Sequence, residues 1–324
     1  MTVTSGKFSK LPYLPLRVIA SHMDLKDLLT ITLMSQQINC AVVFLNYSIQ
    51  TLKWIVAAPG HFVIHIIQRD QPKIILKLSP EIASKFASSR VLINDQKTEI
   101  SRNGDIFGFQ CGSLDSERLQ LFEALANFLM RICKPGIFDF CSNLFIGSIF
   151  EHTRKFETFK LTHQKLSVEN AKLIFEGIEV DVFRLDKIQI CTHEFQVFQL
   201  KLRDMDLGSA PWLSGESLKN MKCENLKYSQ RHSETRQIQS TDIIHFTKSW
   251  LSGELENLKE LRIDLPDVEY PKGEIPDFEY KMFHEVDLGR LDEIKREGKF
   301  ILTRSNGKKA QLKYGTSILL FYIL

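Results

Sequence analysis

Several features that would narrow the function at once are missing from this chain. No Cys-x-x-Cys pair occurs: the six cysteines, Cys40, Cys111, Cys133, Cys141, Cys191 and Cys223, stand far apart. Their spacing offers no zinc framework or disulfide scaffold, and they read as reduced, mostly buried thiols. There is no Gly-x-Ser-x-Gly elbow, no Walker-type loop and no Gly-x-Gly-x-x-Gly. The serines and cysteines therefore have no recognised activating context, phosphates have no glycine cradle, and no cofactor is expected. Charge of one sign is scarce too. Forty-two Lys and Arg against 39 Asp and Glu leave a formal net charge of +3, which is no footprint for nucleic acid or an anionic membrane. The longest apolar run, Ile318 to Leu324, is far too short to cross a bilayer and reads as a buried strand. An N-terminal apolar run with a small-residue cleavage site is also lacking, so a cytoplasmic or nuclear location is expected.

What is present is ordinary globular composition: 324 residues, 44% hydrophobic and 25% charged, enough for two or three domains. The stretch with the most apolar surface for its length is Leu11 to Gln37. Leu11-Pro12 and Pro15 keep the chain extended and then admit a helix, because proline is tolerated in a first turn. Leu16, Ile19 and Met23 follow at helical spacing. Asp24 is placed to cap a second helix and Asp27 puts a further negative charge at its positive end. Leu25, Leu28, Leu29 and Leu33 form the stripe behind them. Ile38, Val42 and Leu45 predict a third short helix from Ser35 onward. About forty residues cannot close a core around so many leucines unless something else covers them.

This stretch resembles an F-box. The match runs through Leu11-Pro12, Leu16, Ile19, Met23-Asp24, Asp27-Leu28-Leu29 and Ser35. It departs at Leu14 where the family usually has Glu, at Pro15, at Met34 for Val, and at Gln36-Gln37 for a basic pair. The resemblance implies that the segment binds a small Skp-type adaptor and, through it, a cullin-RING ubiquitin ligase. The implied adaptor anchors are Leu11, Pro12, Leu16, Ile19, Leu28 and Leu29, with Met23 and Met34 in support. The same residues admit a plainer reading, a helical cap packed on its own chain.

From Thr51 to about Gly112 the pattern turns to short β-type runs. Phe62 to Ile67 and Lys73 to Leu78 predict a hairpin about the Asp70-Gln71-Pro72 turn, and Val91 to Ile93 and Ile106 to Phe109 predict further strands, with Asn103-Gly104 as the strongest turn signal. Ser116 to Cys133 carries Leu119, Phe122, Leu125, Ala126 and Leu129 on one face and predicts an amphipathic helix stopped by Lys134-Pro135-Gly136.

From about Phe138 to Leu265 apolar runs alternate with helical segments, which favours a parallel or repeat-like α/β layer. Strands are expected at Phe156 to Leu161, Val182 to Ile190 and Phe195 to Leu202, and helices at Val168 to Gly177 and Asp242 to Leu251. Leu258, Leu261, Ile263 and Leu265 resemble one leucine-rich-repeat turn, with no fixed period upstream. Asp242 to Gly253 with Leu258 to Ile263, and Phe300 to Ala310 as an Asn-Gly hairpin, resemble the associated region of a large nematode F-box family. There a helix ending Trp-Leu-x-Gly precedes a leucine-rich strand, and an Arg-x-x-Gly-Lys hairpin comes near the end.

Chemistry-bearing patterns are weak. His61 and His65 share a face of either a helix or a strand but lack a third ligand nearby. Asp204 and Asp206 lack the later acceptors of a calcium loop and read as a solvated turn. Tyr270 to Asp277 reads as a linker. Trp212, Trp250 and Tyr228 are large enough to be binding anchors or core.

The expected architecture is therefore α+β or α/β: residues 1–50 as a three-helix adaptor-binding domain, 51–137 as a strand-rich region with an amphipathic helix, and 138–324 as a substrate-recruiting α/β region. The expected function is a non-catalytic substrate receptor of a cullin-RING ubiquitin ligase, holding an unidentified target protein and contacting neither nucleic acid nor membrane. The alternative is a leucine-rich-repeat-like scaffold whose N-terminal helices only cap the fold.

Overall fold

The computed structural model describes residues 13–34, 47–57, 59–80, 88–93, 96–191, 203–208, 218, 222–229, 240–264, 299–314 and 318–324. It is a mixed α/β chain that divides into two compact units, Met1–Thr153 and Arg154–Leu324. Among the described residues no helix is long and apolar enough to cross a membrane.

The first unit opens with α1 (Tyr13–Ser21), whose first turn holds Pro15, and α2 (Leu25–Met34). Asp24 caps α2 as its sequence position suggests, the Asp27 N–H donating to Asp24 Oδ1 at 2.7 Å. Two N-terminal helices are thus described rather than three; the third, expected from Ser35, lies outside the described residues. Strands follow: β1 (Tyr47–Ala57), β2 (His61–Ile67), β3 (Ile74–Ser79), β4 (Ser88–Ile93), β5 (Gln96–Asn103) and β6 (Ile106–Gln110). β2 and β3 form the expected hairpin, with Asp70 at φ 60° in the turn. β5 and β6 form another, with Gly104 at φ 60° supplying the left-handed residue of the Asn-Gly turn.

Helix α3 (Asp115–Ile132) gives way at once to β7 (Cys133–Ser142). Lys134-Pro135-Gly136 therefore does stop the helix, but it forms strand rather than a loop, and β7 runs across residue 137, where a domain boundary was expected. β7 pairs in parallel with β1, and the strand order in this unit is β7-β1-β2-β3-β6-β5-β4. The core forms where Phe122 of α3 meets Trp54 at 5.5 Å and Phe62 at 5.9 Å, both edge-on, an arrangement favoured by the ring quadrupoles.

The second unit contains β8 (Lys155–Thr162), β9 (Lys165–Ser167), α4 (Val168–Gly177), β10 (Glu179–Asp186), β11 (Gln189–Cys191), β12 (Asp204–Leu207), β13 (Asn225–Ser229), α5 (Ser240–Ser252), β14 (Glu260–Asp264), β15 (Lys299–Thr303), β16 (Lys309–Tyr314) and β17 (Ile318–Ile323). The expected strand at Phe195 to Leu202 and the linker at Tyr270 to Asp277 lie outside the described residues, as does Trp212. β8, β10, β12, β13 and β14 stack in parallel in chain order, and β17, β16 and β15 continue the sheet antiparallel. β9 and β11 form a separate parallel pair.

Register aligns Phe159, Phe183, Met205, Leu226 and Leu261, residues that stand 24, 22, 21 and 35 apart, with Phe321 next in the row. A second buried row holds Leu161, Leu185, Leu207, Tyr228, Ile263 and Leu319. The buried rows at Leu261 and Ile263 thus continue upstream, strand by strand, to β8. Helices cover this buried side: Phe175 of α4 lies 6.1 Å from Phe183, and Phe246 and Trp250 of α5 each lie 5.3 Å from Phe321.

Candidate functional site

The two helices at the start differ in what covers them. Leu25, Leu28 and Leu29 of α2 are 0% exposed, and Ile31 and Leu33 are buried. α2 lies against β4, and polar contacts fix it to the β5–β6 hairpin. Lys26 Nζ reaches Asp105 at 2.8 Å, and Arg102 donates to Thr30 Oγ1 at 2.8 Å while pairing with Asp27 at 3.4 Å and covering the Phe107 ring. α1 presents the opposite case. Leu14 is 70% exposed, Val18 59% and Ile19 37%, a contiguous aliphatic patch on one short helix. Exposed patches of this kind mark interaction sites when they are not scattered singly.

The sequence-derived anchors therefore separate. Leu28 and Leu29 belong to the chain's own core, Ile19 faces solvent, and Met23 is half-buried between the helices. Leu16 lies in α1 and Met34 ends α2. Leu11 and Pro12 lie outside the described residues. Leu14 and Val18, which sequence reasoning did not select, are the most exposed aliphatics of the patch. Their four-residue spacing on a proline-started helix was the available signal.

Elsewhere the chemistry is quiet. A cleft of about 670 Å³ in the first unit is lined by residues including Thr98, Gln110, Cys111, Glu117 and Leu121. Burial pushes the Cys111 thiol up, against the opposing pull of Arg118. Burial alone holds Cys133 up at about 12, and burial is also the main reason Cys223 stands at about 12. Such thiols remain protonated and poorly nucleophilic at neutral pH. His61 and His65 share a face of β2, where burial and then Lys73, Lys53 and His61 hold His65 below the usual range, and neighbouring ammonium groups oppose a cation there. Among the described residues no three His, Cys, Asp or Glu side chains converge as a metal cage would require.

Asp204 and Asp206 lie in strand β12 rather than in a turn. Asp204 accepts from Asn225 Nδ2 at 2.5 Å and Asp206 pairs with Arg184 at 3.6 Å. Trp250 and Tyr228 are 0% and 1% exposed and belong to the core. The described residues offer exposed aliphatic side chains on α1 and an outer sheet face in the second unit. Comparison with models of protein families, with curated proteins and with solved structures finds no match.

Proposed function

We propose that this chain is a non-catalytic recruiting protein that docks a small Skp-type adaptor on α1, links to a cullin ligase through it, and holds a target protein on its second unit. The observation that supports this reading most is the exposed patch of Leu14, Val18 and Ile19 beside an α2 whose leucines are fully covered. A short helix that, among its described side chains, keeps only Ala20 buried and leaves Leu14, Val18 and Ile19 exposed is suited to insertion into a partner's groove. Burying each aliphatic side chain there is worth about 1.5–3 kcal/mol, and a few such anchors dominate an interface. In mechanism the protein would act by tethering, raising the effective concentration of target lysines near the ligase.

The test is a pull-down with purified Skp-type adaptor, comparing the intact chain with a Leu14→Glu, Val18→Glu double variant. Stoichiometric capture abolished by the double variant is expected. Failure of the intact chain to capture the adaptor would remove the reading. A scaffold reading, with α1 and α2 as a cap, draws on the burial of Leu28 and Leu29 and on the stacking of β8 to β14 in chain order; it gains the lead if the intact chain does not bind.

A further inference from the structure

The outer face of the second unit's sheet treats charge in two different ways. At one end of the strands the signs alternate from strand to strand: Lys155 pairs with Glu179 at 2.9 Å, and Glu224 pairs with both Arg203 at 3.5 Å and Lys259 at 2.5 Å. Three to five residues further along the strands, the register instead opposes like charges. Lys160 faces Arg184, Lys227 faces Arg262, and Lys313 faces Lys299, with only Asp206 and Leu320 between these pairs. Like charges directly opposite on neighbouring strands destabilise a sheet. Intrachain carboxylates relieve this only in part. Arg184 holds Asp206 at 3.6 Å and Arg262 holds Asp264 at 3.1 Å, while Lys160 and Lys227 hold no carboxylate among the described residues.

We infer that this row is a docking track for a single extended segment of a partner protein rich in Asp and Glu, an inference resting on the target-holding half of the proposed function. Charge complementarity selects the occupant's sign, and the neighbouring rows select its width. About 7 Å to either side along the strands, the same face carries Asp204 and Glu260 on one flank and Asp186 on the other, where Asp264 is buried. A polyanion broader than one chain meets those carboxylates, whereas a lone extended peptide does not. The spacing also fits. Adjacent strands lie about 4.8 Å apart, so the Lys160–Arg184 and Lys227–Arg262 pairs recur after roughly 14 Å, close to four residues of an extended chain.

The test is fluorescence anisotropy of a labelled twelve-residue peptide alternating Glu and Ser, titrated with the full chain without any adaptor. Saturable binding that weakens as salt rises is expected. A Lys227→Gln, Arg262→Gln double variant, checked for fold by circular dichroism, should weaken it about tenfold, whereas Lys155→Gln in the alternating row should leave it unchanged. The Leu14→Glu, Val18→Glu variant should also bind the peptide normally, so that loss of adaptor docking and loss of the track are read separately. The inference is overturned if the intact chain does not bind, if a Gln-Ser peptide binds equally well, if Lys155→Gln weakens binding as much as the double variant, or if a single-stranded oligonucleotide of equal charge binds more tightly.

Discussion

Arg304 joins two parts of the second unit that lie far apart in sequence. Its guanidinium lies 4.3 Å from the centre of the Trp250 ring and donates through Nη2 to the Leu255 carbonyl at 3.2 Å. Its own N–H closes the β15–β16 turn by donating to the Lys308 carbonyl, and Lys308 Nζ reaches the Glu256 carbonyl at 3.3 Å. Each motif could be read along the chain, Trp250 at the end of a helix and Arg304 to Lys308 as a hairpin. That they meet was not legible, because no local rule carries a contact across such a separation. Their meeting makes both of them structural. Arg304→Met keeps the stem but loses the charged hydrogen bond and the cation–ring contact, and should cost about 2–4 kcal/mol in urea unfolding. A second residue-scale expectation concerns His65, whose proton affinity is held down first by burial and then by Lys73, Lys53 and His61. The unfolded chain binds this proton near the ordinary value of 6.5, and the folded chain binds it only at lower pH. Stability should therefore decline as pH falls below about 6.5. His65→Gln should flatten that part of a pH–stability curve measured by thermal melting.

At the scale of elements, α1 and α2 should respond oppositely to truncation. Leu28→Ala and Leu29→Ala each empty a fully buried site and should cost about 2–5 kcal/mol by chemical denaturation. Leu14→Ala and Val18→Ala should change stability by no more than about 0.5 kcal/mol. Equal losses for both pairs would mean that α1 is held as firmly as α2. The cap at Asp24, the turns at Asp70, Gly104 and Gly307, and helices α3, α4 and α5 were legible because each depends on residues within a few positions. β7 was hidden for the opposite reason. Proline has no N–H to give a ladder and normally marks a break, yet Pro135 sits near the start of β7 opposite Ile49. The exposed side of α1 was hidden as well, because periodicity identifies a helix's apolar residues but not which of them its neighbours cover.

At the scale of the whole molecule, the parallel α/β layer expected from Phe138 to Leu265 was legible only in outline, because its rows are filled by Phe, Met, Leu and Tyr rather than by one residue type, and because the step from β13 to β14 is longer than the others. Only the strand register brings Phe159, Phe183, Met205, Leu226 and Leu261 into line. The edge of the parallel strands at β14 is covered by β17, β16 and β15, which bring Phe300, Leu312, Leu319 and Phe321, all 0% exposed. A chain ended at residue 298 would leave the edge of β14 open and its row unfinished. It should be found in the insoluble or aggregated fraction by size-exclusion chromatography, and a monodisperse product would show that the last three strands are dispensable.

The parallel pairing of β1 with β7 sets an order of events during synthesis. Tyr47 meets Cys133, so β1 leaves the ribosome well before its partner, and β2 to β6 and α3 must be made in between. At about 5–20 residues per second this interval lasts several seconds. During it one side of β1, with Trp54 and Leu52 on the strand, lacks its native neighbour. The β2–β3 and β5–β6 hairpins can close in microseconds by contrast, which leaves closure of the first unit waiting on translation, and the nascent chain dependent on whatever shields that strand meanwhile.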